Sequence, residues 1–144
     1  MAATTTLLAW GAGSYKKGYE AANQYDETLN TVKWATDYFI KCHTAPNELW
    51  AQVGNGEMDH AQWDRVEDMT IARPSYKIDS SKPGSDLAGE TAASLAAASI
   101  IFKEKDPAYS EELLTHAKQL LDFAYAEPRG KYSDSVTDAA KFYK

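Results

Sequence analysis

Three stretches of this sequence carry apolar residues at three- and four-residue steps, and that periodicity makes helix-on-helix packing the main route to a core. Starting at Asp26, the residues Leu29, Val32, Ala35, Phe39 and Cys42 share one face of a helix expected to end near His43, where Pro46 and Asn47 stop it. From Ser85 or Asp86, a second stripe runs through Leu87, Thr91, Ala92, Leu95, Ala98, Ile101 and Phe102, with enough alanine for neighbouring helices to approach closely. Asp106-Pro107 and Ser110-Glu111-Glu112 supply N-terminal signals for a third helix, faced by Leu113, Leu114, Ala117, Leu120, Leu121 and Ala124 and ended by Pro128 and Gly130.

The two ends are weaker. Residues 4–19 read as a helix with a broken end, interrupted by Gly11, Gly13 and Gly18 and opening without a cap of its own. Residues 133–144 begin like another helix, with Ser133 or Ser135 as cap, and stop without a terminating signal. The open stripes point to truncation at both ends. Short connections on one side and a long one on the other are the arithmetic of antiparallel helical hairpins set in a ring, which makes the fold class all-α.

Between the first two stripes lies a long stretch, residues 48–83, without helical periodicity. Leu49-Trp50-Ala51-Gln52-Val53 reads as a short strand leading into a turn at Asn55-Gly56. A connection of this length inside a compact domain is usually functional or disordered, and its aromatic and mixed-charge composition argues against disorder. It is the first place to look for a ligand surface. Pro83-Gly84-Ser85-Asp86 reads as a turn into the next helix, with Ser85 or Asp86 as its cap.

The formal net charge of -6 and pI near 5.0 argue against nucleic acid, because phosphate backbones are bound by clustered Lys and Arg. No apolar run approaches the roughly 20 residues of a membrane span, and the N-terminus carries no basic segment followed by a continuous apolar one. One cysteine, Cys42, leaves no internal disulfide framework and no multi-cysteine zinc site. Four Trp and nine Tyr dominate the aromatic content. Such rings join an apolar face to a polar tip, which suits both core packing and the stacking of sugar rings.

The densest polar cluster runs from Glu57 to Met69 and holds five acids, Glu57, Asp59, Asp64, Glu67 and Asp68. Glycosidic hydrolysis needs two carboxyl groups flanking the bond; by composition any two of these could serve, or all could be solvated or paired with Arg65 and Arg73. His43, just past a helix end, is placed to donate to a sugar hydroxyl or to serve as a hydrogen-bonded structural residue. Metal binding by Cys42, His43, Asp59 and His60 fails the spacing test. A phosphate loop, a nucleophile elbow and a helix-loop-helix calcium loop are absent from the sequence.

Five segments, in order, match something specific: Lys41-Cys42-His43-Thr44-Ala45-Pro46-Asn47, Gln52-Val53-Gly54-Asn55-Gly56, Asp59-His60 with Trp63-Asp64-Arg65-Val66-Glu67-Asp68-Met69, Arg73-Pro74-Ser75-Tyr76-Lys77, and Pro83-Gly84-Ser85-Asp86-Leu87-Ala88-Gly89-Glu90-Thr91-Ala92-Ala93. Together they resemble glycoside hydrolase family 9, especially animal members of termite, crustacean and mollusc type, over nearly the whole chain. The resemblance implies an inverting, secreted endo-β-1,4-glucanase on an (α/α)6 barrel. Residues 1–144 would form a portion of its single catalytic domain, incomplete at both ends, with the long loop lining the cellulose cleft.

The family's catalytic base lies in an Asp-Ala-Gly-Asp segment upstream of Thr4-Thr5-Thr6-Leu7-Leu8-Ala9-Trp10, and its acid is a Glu far toward the C-terminus, so no catalytic residue is expected within this chain. Carried over by position, His43 matches a cleft histidine beside the scissile bond, Trp63 and Arg65 a Trp-x-Arg cleft segment, and Tyr143 an aromatic beside the glucose subsites. No cofactor is required; calcium, bound by some members, is possible in the intact enzyme through a segment after Lys144. Val66 stands where Pro is common and Gly89 where Ala is usual, the latter at a cost of about 1 kcal/mol. The expected partner is cellulose or a β-1,4-glucan. The rival readings are a non-catalytic β-glucan-binding protein and a helical interaction module.

Overall fold

A computed structural model of the chain describes residues 1–126 and 128–142. Helices α1 (Ala2–Ser14), α2 (Lys16–Ala21) and α3 (Tyr25–Cys42) come first, then strand β1 (Glu48–Val53), the short helix α4 (Gly56–Ala61) and strand β2 (Ser75–Asp79). Helices α5 (Ser85–Phe102), α6 (Pro107–Tyr125) and α7 (Tyr132–Ser135) follow, with 3-10 turns at Val66–Asp68 and Ala139–Lys141.

The three periodic stripes become the core. Helix α3 buries Leu29, Val32, Ala35, Thr36 and Phe39, while α6 buries Tyr109, Leu113, Ala117, Leu120, Phe123 and Ala124. Helix α5 packs against α6, α1 and α3 and is therefore buried on most of its circumference. Its small residues permit this, since Ala88 and Ala98 are fully enclosed where a larger side chain would hold the neighbours apart. The buried hydroxyls of Thr91, Ser94 and Ser99 donate to carbonyls of their own helix, at 2.8 Å to Leu87, Thr91 and Ala96 respectively. No polar cost is left unmet there. Leu95, Leu113 and Leu120 are fully buried, each contributing about 2 kcal/mol by removal from water.

Helix α6 starts as its sequence dictates. Asp106 accepts from the Tyr109 N–H at 3.0 Å, and Pro107 occupies a first-turn position where no N–H is needed. The expected break in the first segment falls at Tyr15, between α1 and α2, and not at a glycine.

The expected strand after α3 is present, and it has a partner that the sequence did not announce. Strands β1 and β2 pair antiparallel, with Leu49 opposite Ile78 and an irregularity between Trp50 and Gln52. Leu49 and Ile78 face the core; Lys77 lies over the Trp50 ring at 5.7 Å and pairs with Glu48. The ribbon closes the root of residues 54–74, so the long loop leaves and returns at one place.

Three local expectations need correction. Asn55-Gly56 is not a hairpin turn: the Asn55 side chain accepts from the Met58 N–H at 3.0 Å and caps α4. Neither Ser85 nor Asp86 caps α5, whose N-cap is Gly84. Asp86 instead accepts from the Tyr132 N–H at 2.8 Å, and the Ser85 N–H donates to the Gly130 carbonyl at 2.8 Å, so both serve a tertiary contact. The final segment is not one long helix but α7 and a separate 3-10 turn. Ser135, considered as its cap, donates to the Pro83 carbonyl at 2.6 Å.

Candidate functional site

The exposed part of the long loop is built on α4. His60, at the end of that helix, places its Nδ1 2.6 Å from the Gly56 carbonyl. A carbonyl only accepts, so Nδ1 carries the proton and Nε2 of the neutral ring is left as an acceptor. The Phe142 ring stacks on His60 with centroids 5.5 Å apart and planes 27° from parallel. Three residues beyond His60, Trp63 is fully exposed. An indole held wholly in water on a loop otherwise tied down in several places is the most conspicuous ligand-type feature of this surface.

Several contacts fix the loop. Arg73 donates to Asp59 at 2.9 Å. Gly54 lies beneath that pair with φ +87, and a β-carbon there would sit 2.9 Å from an Arg73 nitrogen. From the other end of the chain, Asp138 accepts from the Gly56 N–H at 2.9 Å, the Gln52 amide at 2.6 Å and the Asn55 amide at 2.9 Å. The Gly56 N–H, aided by Gln52 and by the charge of Lys141, holds the Asp138 carboxyl below the usual carboxylate value. Lys141 pairs with Glu57.

Three of the five clustered acids are therefore paired with a base: Asp59 with Arg73, Glu57 with Lys141, and Asp68 with Arg65 at 2.7 Å. Arg65 is itself well exposed on the same loop as Trp63, with N–H groups beyond those given to Asp68.

His43 lies elsewhere. It is buried, with Nδ1 2.7 Å from Nδ1 of His116 on α6 and Nε2 3.5 Å from the Pro46 carbonyl. Both ring nitrogens face protein atoms. Tyr143 falls outside the described residues. A cavity of about 730 Å³ lined by Tyr38, Leu49, Trp50, Leu87 and Tyr132, among others, includes none of His43, Trp63 and Arg65. Among the described residues no three His, Cys, Asp or Glu side chains come together as a metal site.

The sequence reading weighed His60 as a metal ligand and as part of a motif but not as a contact beside Trp63. The available signal was its position four residues after Gly56 and three before Trp63. Asp138 had no local signal, because its partners are more than 80 residues away in sequence.

The family model for "Glycosyl hydrolase family 9" matches residues 1–144. An endoglucanase A of Bacillus pumilus is 55% identical over 99% of this chain and 22% of its own length, and an endoglucanase 7 of Oryza sativa subsp. japonica 52% identical over 99% and 27%. The chain thus spans only about a quarter of those relatives. A solved endoglucanase from the termite Nasutitermes takasagoensis is 63% identical, with a TM-score of 0.94 over 99% of this chain and 33% of that one. A cellulase of C. cellulolyticum solved in complex with cellobiose is 28% identical, with a TM-score of 0.80 over 98% of this chain and 39% of that one. These likenesses bear out the expected helical hairpins of an (α/α)6 barrel.

Proposed function

The chain belongs to glycosyl hydrolase family 9, and from that premise we propose that the intact protein hydrolyses internal β-1,4-glucosidic bonds of cellulose with inversion, loop 54–74 forming part of its sugar cleft. The observation that carries this reading is the fully exposed Trp63 following His60, whose Nε2 has no partner among the described residues. A glucose ring offers an apolar C–H face for the indole and hydroxyls for an imidazole acceptor. Arg65 supplies further donors at the same loop.

The hydrolytic step needs a general acid and a general base about 6.5–9.5 Å apart, with room for the attacking water. On the family resemblance, whose base and acid motifs do not occur in this sequence, both groups come from outside these 144 residues, and the isolated chain is inactive. His43 remains a candidate sugar contact on the family resemblance, and its contact with His116 ties the junction of α3 and β1 to α6. Tyr143 remains a candidate aromatic beside the glucose subsites on the family resemblance alone. The hydrolytic reaction requires no cofactor, and calcium stays a candidate ligand of the intact enzyme on the family resemblance alone. The extracellular location is inferred from the family resemblance, and a substrate that is an insoluble polymer supports it.

The test is incubation of the intact catalytic domain with soluble β-1,4-glucan. A rapid fall in viscosity with few new reducing ends, and products formed first as the α-anomer, support the proposal. Glucan binding without hydrolysis would instead favour a non-catalytic binding protein.

A further inference from the structure

We infer that Asp138 is a positioning residue that sets the orientation and tautomer of His60, an inference that rests on the reading of His60 as a sugar contact. The connection runs through one glycine. One Asp138 oxygen accepts from the Gly56 N–H at 2.9 Å, and the Gly56 carbonyl accepts from His60 Nδ1 at 2.6 Å. The same carboxylate takes the amides of Gln52 and Asn55, so it fixes the end of β1, the cap of α4 and the first residue of α4 together.

Four residues after Asp138, Phe142 stacks on the imidazole. It also fills the space beside Gly56, where a β-carbon would collide with the Phe142 ring. The segment 138–142 therefore holds His60 twice, through a hydrogen-bonded backbone and through a ring face. A carboxylate is the group that fits, because all three of its partners are donors. An amide at position 138 would turn an NH2 toward one of them. Once Nδ1–H is committed to the Gly56 carbonyl, Nε2 is the only ring nitrogen able to accept from a substrate hydroxyl.

The experiment is a double-mutant cycle in the intact catalytic domain, with D138A, D138N and H60A assayed on cello-oligosaccharides. H60A alone reports on the underlying reading: if it leaves kcat/KM unchanged, His60 is not a sugar contact and that reading fails by itself. If His60 contributes, D138A is expected to lower kcat/KM about ten-fold, as a displaced contact group does, chiefly through KM. D138N should fall between wild type and D138A, and in the H60A background D138A should cost little more. A D138A loss that is the same with and without His60, or that falls on kcat alone, overturns the inference and leaves Asp138 a general support of the loop. Melting temperature of each variant separates folding from positioning, since a purely structural role would lower stability without tying the KM change to His60.

Discussion

His43 and His116 meet nitrogen to nitrogen, Nδ1 to Nδ1 at 2.7 Å, across the packing of α3 and α6. One of the two must donate. Since Nε2 of His43 faces the Pro46 carbonyl at 3.5 Å, the consistent arrangement has His43 protonated on Nε2 and accepting from His116 at Nδ1. Adding a proton to His43 at that nitrogen would set two donors against each other. Burial, with the neighbouring His116 adding to it, pushes the His43 ring below its ordinary value of 6.5.

The sign of the pH dependence follows. The unfolded chain takes up a proton on His43 as pH falls through about 6.5, whereas the folded chain resists it until lower pH. Stability is therefore full above that range and is lost as pH drops through the depressed folded value. The melting temperature of the intact domain should fall between pH 7 and pH 5, and H43N should make the fall shallower. H116A, which leaves a buried acceptor unpaired, should cost about 1–3 kcal/mol at neutral pH by denaturant unfolding.

Gly89 lies inside α5 with only the Ala124 β-carbon near, 3.8 Å from where its own would be. That is ordinary contact distance, so the space for alanine already exists. Gly89→Ala should stabilise the fold by about 0.5–1 kcal/mol, read as a higher denaturation midpoint. Gly54 is the opposite case. Its φ of +87 and the Arg73 guanidinium 2.9 Å from a β-carbon make Gly54→Ala destabilising by more than about 1 kcal/mol, and glucan hydrolysis should weaken with it.

Tyr109 donates to Asp37 at 2.6 Å and shares a 2.7 Å bond with the buried Thr36 hydroxyl, which joins α3 to α6. Burial and the Asp37 carboxylate push its phenol well above the usual tyrosine value. Tyr109→Phe should cost about 1 kcal/mol of stability, measured by thermal unfolding, while leaving the loop's glucan affinity unchanged.

Helices α3, α5 and α6 were legible because each presents an uninterrupted apolar stripe longer than ten residues, and for α6 the expected Asp106 cap agrees with it. The interior of the loop was not. Helix α4 has six residues, too few for periodicity to register, and Asn55-Gly56 suits a hairpin turn as well as the cap that it forms. The pairing of β1 with β2 joins residues more than 20 apart through a loop, and neither strand carries a strict alternation. Of the site, Trp63 and Arg65 were found on the exposed loop, but composition could not tell a buried histidine from a surface one. His43 and His60 differ in what surrounds them, which for His43 is set by α6 and for His60 by the segment 138–142.

The central claim is that the exposed loop carrying Trp63 holds β-1,4-glucan. It is tested most directly by cellohexaose binding to the intact catalytic domain, measured calorimetrically for wild type and W63A. The ring is fully exposed, so its removal should leave the fold intact. The account predicts a Kd raised on the order of ten-fold, the loss of one stacking contact of about 1.4 kcal/mol. An unchanged Kd with an unchanged melting temperature would contradict it.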